Sequence, residues 1–156
     1  MTPRETAISI IQRLHEAGYE AFLVGGCVRD ELRGVDPEDY DISTSAQPEE
    51  VEELFAKTVD VGKSFGVMMV LESGNQFEVA TFRADGDYED GRRPKEVKFA
   101  DAQTDAGRRD FTVNGLFLNP LTNKVYDWVG GETDLKSRML RTIGDPVERF
   151  GEDHLR

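Results

Sequence analysis

The chain has 156 residues, 38% hydrophobic and 32% charged, a balance that supports one compact domain and excludes a disordered tail. No apolar run approaches the roughly 20 residues that cross a bilayer, and Met1-Thr2-Pro3-Arg4-Glu5 lacks the basic-then-apolar pattern of an export signal, so no membrane partner is expected. Nineteen Lys+Arg against 31 Asp+Glu give a net charge of -12, which argues against a broad phosphate-gripping surface, although cations gather at Arg92-Arg93-Pro94-Lys95 and Arg108-Arg109.

Ala7, Ile8, Ile10, Ile11 and Leu14 recur at helical spacing, which predicts an amphipathic helix over residues 5–17 ended by Gly18. Ala21-Phe22-Leu23-Val24 reads as a short buried strand running into Gly25-Gly26, followed by a helix from Cys27 to Arg33. Cys27 is the only cysteine, so no internal disulfide forms, which fits a reducing cytoplasm. A second strand is predicted over 40–43, then a helix capped by Ser45 and running to about Lys57. Residues 67–71 and 76–82 form a predicted hairpin, and residues 84–96 a Gly-, Asp- and Arg-rich loop before a short strand at 97–99. Asp105 to Asn114 reads as a helix, residues 116–118 and 124–126 as another hairpin, and residues 132–138 and 146–156 as helices. Hairpin-linked strands with helices at both ends predict an α+β fold with a mixed, mostly antiparallel sheet.

Asp39 and Asp41 stand two apart at a predicted strand, so their carboxylates share a face while Tyr40 points away. Two adjacent carboxylates repel unless a cation neutralises them, and hard oxygen ligands suit Mg²⁺. Asp-x-Asp by itself more often describes surface aspartates; the segment before it changes the reading. Gly25 and Gly26 let a triphosphate approach the backbone, and Arg29 in the following helix can fork onto a phosphate oxygen. The third glycine of a dinucleotide-binding turn is missing and an antiparallel pattern comes next, which excludes that fold. Glu78 alternates with Phe77 and Val79 and shares a face with Ala80 and Phe82, a setting that predicts an inward carboxylate in need of a partner such as a metal.

Five ordered segments, Leu23-Val24-Gly25-Gly26-Cys27-Val28-Arg29-Asp30, Asp39-Tyr40-Asp41-Ile42-Ser43-Thr44, Glu78-Val79-Ala80-Thr81-Phe82-Arg83, Gly91-Arg92-Arg93-Pro94 and Arg108-Arg109-Asp110-Phe111-Thr112-Val113-Asn114, resemble the bacterial and eukaryotic class of tRNA nucleotidyltransferases. These CCA-adding enzymes belong to the polymerase-β superfamily with the bacterial poly(A) polymerases. The resemblance runs from about Phe22 to Arg156. It implies a polymerase-β-like catalytic head over residues 1–144 and the start of a helical neck over 145–156. It implies transfer of AMP or CMP from ATP or CTP to a tRNA 3′-hydroxyl, with Asp39 and Asp41 on Mg²⁺ and Glu78 as third catalytic carboxylate. Gly25, Gly26 and Arg29 are expected on the phosphates, and Arg109 and Asp110 on the nucleotide with Asn114 supporting them. Arg108-Arg109-Asp110 at a helix start would offer bidentate donors beside an acceptor for a 2′-hydroxyl.

The Glu152-Asp153-His154-Leu155-Arg156 segment resembles the family's nucleobase-selecting motif. Asp153 and Arg156, three apart on a helix, combine an acceptor and a donor that imitate a base edge. Residues 85–94 resemble the family's flexible loop, which goes with adding the terminal A. The family's neck, body and tail, which hold the tRNA, would lie beyond Arg156, and the alternatives are a poly(A) polymerase or a nucleotide-binding head inactive in isolation. The sequence assigns no oligomeric state. His15 and His154 are too isolated for a metal site, and Trp128 reads as packing.

Overall fold

The computed structural model describes residues 1–85 and 97–144. Helix α1 (Pro3–Glu16) starts at a capping box: Thr2 Oγ1 accepts from the Glu5 N–H at 3.1 Å, and Glu5 Oε1 accepts from the Thr2 N–H at 3.3 Å. Its apolar stripe of Ala7, Ile10, Ile11 and Leu14 is fully buried, each large side chain contributing about 1.5–3 kcal/mol by leaving water. Next come β1 (Ala21–Val24), α2 (Gly26–Leu32), β2 (Asp41–Thr44), α3 (Pro48–Leu54), β3 (Thr58–Gly62), β4 (Val67–Glu72) and β5 (Asn75–Thr81). The short hairpin strands β6 (Arg83–Asp85) and β7 (Val97–Phe99) precede α4 (Ala102–Gly107), β8 (Phe117–Asn119), β9 (Lys124–Tyr126) and α5 (Gly131–Lys136). None of the described helices is long and apolar enough to cross a membrane.

Seven strands form one sheet in the order β3-β4-β5-β2-β1-β8-β9. Only the β2–β5 pair is parallel; the other pairings in that sheet are antiparallel. This is the mixed, mostly antiparallel α+β architecture expected from the hairpin spacing. Side-chain alternation then sorts the strands' residues between two faces. Leu23, Ile42, Met68, Val70, Phe77, Val79 and Leu118 face the main core with the α1 stripe, Val28 of α2 and Val51 of α3. The opposite face carries Phe22, Val24, Phe117 and Tyr126, covered in part by Ala102 and Ala106 of α4. The cross-strand partners Val24↔Asp41, Phe22↔Ser43, Ser43↔Ala80 and Met69↔Glu78 place Asp41, Ser43, Glu78 and Met69 on this second face. It is covered by aromatic residues and α4 at the β1–β8 side and open at the β5–β4 side.

The fold corrects several sequence expectations. The helix expected behind Ser45 is capped by Gln47 and ends at Leu54, and Ser45 Oγ instead accepts from the Glu20 N–H at 2.9 Å. Residues 58–62 form the edge strand β3, which the alternation did not reveal because Val59 and Val61 are exposed. The helix expected over 105–114 begins instead behind Asp101, whose Oδ1 accepts from the Thr104 N–H at 2.8 Å, and ends at Gly107. Arg109 and Asp110 therefore come after a helix C-terminus, and a 3₁₀ turn occupies Thr112–Asn114. Glu78 is exposed, because Phe77 and Val79 take the core side of β5. The helix expected over 146–156 and the loop resemblance over 86–94 lie outside the described residues.

Candidate active site

Asp39, Tyr40 and Asp41 of the β2 entry, Met69 of β4 and Gln76 and Glu78 of β5 line one cavity of about 360 Å³. Asp41 opens β2, whereas Asp39 and Tyr40 precede it, so the strand alternation expected across 39–41 does not apply and Tyr40 also reaches this cavity. By surface area Asp41 is exposed, yet protein atoms crowd its carboxylate. That partial desolvation, followed by the negative charge of Glu78, raises its pKa to about 6; Arg109 opposes the shift and Asp39 adds to it. Among the described residues no three His, Cys, Asp or Glu side chains close into a ready coordination shell. The donor set is thus two or three carboxylates around an open space, the arrangement of a site whose remaining ligands come from a substrate.

The β1–α2 turn lies directly beside Asp41, since Val24 is its cross-strand partner and Gly25 is next in the chain. Gly25 has φ 73° and ψ -139°, a conformation that only glycine adopts without strain. Two guanidinium groups bracket this turn. A Cβ on Gly25 would stand 3.7 Å from Arg109 Nη1, and one on Gly26 would stand 3.3 Å from Arg29 Nη2. Cys27, packed just behind, donates from Sγ to the Val24 carbonyl at 3.2 Å. Burial, against a backbone hydrogen bond from Asp41, pushes its thiol up to about 11.

Arg29 Nη1 donates to Asn114 Oδ1 at 2.9 Å, and its Nε to Asp30 Oδ1 at 3.0 Å. Asn114, expected to support Arg109 and Asp110, here holds Arg29. Arg29 also lines a second cavity of about 750 Å³ with Arg33, Val113, Asp134 and Lys136 among others, and does not line the carboxylate cavity. Arg109 Nε and Nη2 donate to Asp105 Oδ1 at 3.3 and 3.0 Å, Nη2 donates to Ser43 Oγ at 3.3 Å, and the group lies over the Phe117 ring at 5.3 Å. Burial lowers the Arg109 pKa from its ordinary value, and the Asp105 charge opposes this.

Asp110 Oδ1 accepts from the Phe111 N–H at 2.7 Å, and its carbonyl accepts from the Ile143 N–H at 2.8 Å. That second bond, with Thr112 N–H donating to the Arg141 carbonyl at 2.9 Å, ties this segment to the chain that leaves α5. Asp153 and Arg156 lie outside the described residues. The residues that sequence reasoning missed are Asp105, Ser43, Met69 and Gln76. The spacing of four between Asp105 and Arg109 was the available signal for the first, and the spacing of two from Asp41 and Glu78 the signal for Ser43 and Gln76; Met69 is reached only by its pairing with Glu78. His15 Nε2 is 2.9 Å from the Ala21 carbonyl, and Trp128, 37% exposed, packs edge-on against Phe117.

Residues 21–141 match the family described as Poly A polymerase head domain. The chain is 48% identical over 155 residues to the CCA-adding enzyme of Bacillus pumilus, covering 99% of this chain and 38% of that protein. It is likewise 48% identical over 155 residues to the CCA-adding enzyme of Geobacillus kaustophilus, with the same coverage. Among solved structures, the Bacillus stearothermophilus CCA-adding enzyme in complex with CTP superimposes with a TM-score of 0.88 at 40% identity, over 99% of this chain and 37% of that one. The chain therefore spans less than two fifths of the length of these relatives. With more than half of its residues inside the matched segment, the chain belongs to the poly(A) polymerase head-domain family.

Proposed function

We propose that this chain is the catalytic head of a template-independent nucleotidyltransferase that transfers AMP and CMP from ATP and CTP to the 3′-hydroxyl of tRNA, releasing pyrophosphate. The observation that carries the reading is the glycine turn between Arg29 and Arg109, standing beside the cavity of Asp39, Asp41 and Glu78. A triphosphate laid along Gly25-Gly26 meets a guanidinium on either side, and its α-phosphate end reaches the carboxylates. In-line displacement then requires the attacking hydroxyl to approach from the side away from the turn. Across β2 that side is β5 and β4, where Gln76, Glu78 and Met69 leave the cavity open.

The carboxylate set fits a divalent cation, and Mg²⁺ in particular, which is held by one or two carboxylates plus substrate phosphates. Desolvation first, and then the negative charges of Glu78 and Asp39, raise the Asp41 pKa, and a cation beside the carboxylate would offset both. When bound, such an ion neutralises developing charge and lowers the pKa of a coordinated hydroxyl. The chain's own residues do the rest. Asp39 and Asp41 hold the ion, Arg29 and Arg109 orient the phosphates, Asp110 accepts from the ribose, and Glu78 stands on the acceptor side. Positioning supplies much of the acceleration.

We assign residues 1–144 to this head and 145–156 to the start of a helical neck, where Asp153 and Arg156 present a donor–acceptor edge to the incoming base. The tRNA is gripped mainly by chain beyond Arg156, which reconciles a net charge of -12 with a nucleic-acid substrate. One buried cysteine fits work in the cytoplasm. The relatives' names support tRNA as acceptor, including a Thermotoga maritima CCA-adding enzyme solved with tRNA at a TM-score of 0.66 and 25% identity. The test is incorporation of labelled ATP and CTP into tRNA lacking its CCA end by the intact gene product. Asp39→Ala is expected to abolish it, and retained activity would refute the assignment. The family description favours one second reading, a poly(A) polymerase, which long adenylate tails on generic RNA would reveal.

A further inference from the structure

Asp105 is a fully buried carboxylate with 0% exposure, and no role in nucleotide handling accounts for it. A buried carboxylate is costly unless paired, so its partners define what it does. Its two oxygens divide the work. Oδ1 accepts from both Nε and Nη2 of Arg109, at 3.3 and 3.0 Å. Oδ2 accepts from the Arg83 backbone N–H at 2.9 Å and lies 3.5 Å from Arg108 Nη2. The backbone bond to β6 anchors the carboxylate itself, so it is a fixed post and not a mobile counterion.

The consequence is directional. With its Nε–Nη2 edge tied to Asp105 and Nη2 also on Ser43 Oγ at 3.3 Å, the planar guanidinium has one remaining direction for Nη1. That direction is the glycine turn, where Nη1 stands 3.7 Å from the Cβ position of Gly25. The Phe117 ring beneath, 5.3 Å away, closes off the other face. Without Asp105, Arg109 would sample many rotamers and would be pushed by the like charge of its neighbour Arg108.

We propose that Asp105 is the positioning residue for Arg109, so that nucleotide binding at the Gly25 turn depends on a carboxylate that touches no nucleotide. This rests on the reading of Arg109 as a triphosphate ligand. Arg109 touches the nucleotide in ground and transition states alike, so its misplacement raises KM more than it lowers kcat.

The test uses Asp105→Asn, Arg109→Ala and the double variant in the intact gene product, with CTP titrated against tRNA lacking its CCA end. Asp105→Asn is expected to raise the KM for CTP about tenfold or more, since charge-assisted bonds are lost, with kcat within about threefold of the parent. In KM for CTP the double variant is expected to be no worse than Arg109→Ala alone, because the second change removes a post whose client at the glycine turn is already gone. An aspartate that merely stabilised the fold would lower the melting temperature and the active fraction, hence kcat, and leave KM unmoved. A KM within about twofold of the parent, or effects that multiply in the double variant, overturn the proposal. Should Asp105→Asn fail to fold, Asp105→Glu keeps the charge and displaces the oxygens, and the same cycle decides the matter. If Arg109→Ala leaves KM unchanged, the triphosphate reading of Arg109 falls and the role of Asp105 with it. If Arg109→Ala is impaired and Asp105→Asn is not, only the role of Asp105 falls.

Discussion

Gly25 and Arg109 are 84 positions apart in the sequence, yet Nη1 of the arginine stands 3.7 Å from the place where a side chain on the glycine would begin. Two requirements therefore fall on Gly25 together. Its φ of 73° and ψ of -139° suit glycine alone, and its missing side chain keeps open the space into which Arg109 points. Gly25→Ala is expected to cost about 1–3 kcal/mol in backbone strain and to weaken CTP binding about tenfold or more by filling that space. Thermal unfolding together with CTP titration checks both parts. Normal CTP affinity in a folded Gly25→Ala variant would show that the nucleotide does not use this turn.

Asp41 gives a prediction whose sign is set by linkage. Its folded pKa, about 6, exceeds the ordinary 3.8, so folding opposes its ionisation. The penalty is absent below about pH 4, grows between about pH 4 and 6, and is fully present above that range. Because the side chain is exposed, screening reduces the effect to about 1 kcal/mol. Asp41→Asn is thus expected to raise the melting temperature at pH 7.5 in the absence of divalent ions and to lose that advantage near pH 4, while abolishing nucleotide incorporation. Melting curves of parent and variant at the two pH values decide it. An equal offset at both would mean that ionisation is not the cause.

How much of the molecule was legible in the sequence depends on how local each signal is. The α1 stripe and the Gly25-Gly26 turn announce themselves within a few residues, and each stands where its pattern required. Asp39 and Asp41 line one cavity, but not by the strand alternation that suggested the pair, because Asp39 precedes β2. Glu78 shares a face with Phe82, opposite Phe77 and Val79, as the alternation implies, but it is exposed and not inward, because that face is open at the β5–β4 side. Phe82, just past the end of β5, is buried on that same face against Phe22 and Phe117, where the aromatic cluster and α4 cover it. Met69 becomes a site residue only through its cross-strand pairing with Glu78, which spacing along the chain does not encode, whereas Ser43 and Gln76 stand two residues from Asp41 and Glu78 on the same strands. Asp105 was hidden by a helix boundary: the cap at Asp101 shifts α4 towards the N-terminus, so that a supposed helix start lies inside the helix and anchors Arg109 just past its end.

Asp127 is a stability element outside the site. Oδ1 accepts from the N–H groups of Val129, Gly130 and Gly131 at 3.2, 2.9 and 2.9 Å, and Oδ2 from Glu132 at 3.0 Å, so one carboxylate gathers the start of α5. Desolvation pushes its pKa up, but these four bonds together outweigh it and hold the value below the ordinary one. A lowered pKa contributes stability that is present above the unfolded value and lost as pH falls through the folded one. Asp127→Ala is expected to cost about 1–3 kcal/mol at pH 7, and less in acid below the carboxylate range. Urea denaturation at the two pH values measures the difference, and a cost that does not shrink in acid would exclude the ionised cap.

Cys27 combines burial with proximity to the glycine turn, which makes its reactivity a probe of the turn's integrity. The thiol is 5% exposed and its pKa is pushed up to about 11 from 9.0, leaving about a hundredfold less thiolate at neutral pH. A disulfide reagent such as 5,5′-dithiobis(2-nitrobenzoate) at pH 8 is therefore expected to label the native chain at least about a hundredfold more slowly than the urea-unfolded chain. Gly25→Ala, by straining the turn directly before α2, is expected to raise the native rate while the unfolded rate stays the same. Fast labelling of the native parent would mean that the β1–α2 junction opens readily, and the bracketing of Gly25-Gly26 by Arg29 and Arg109 would then not describe the resting state.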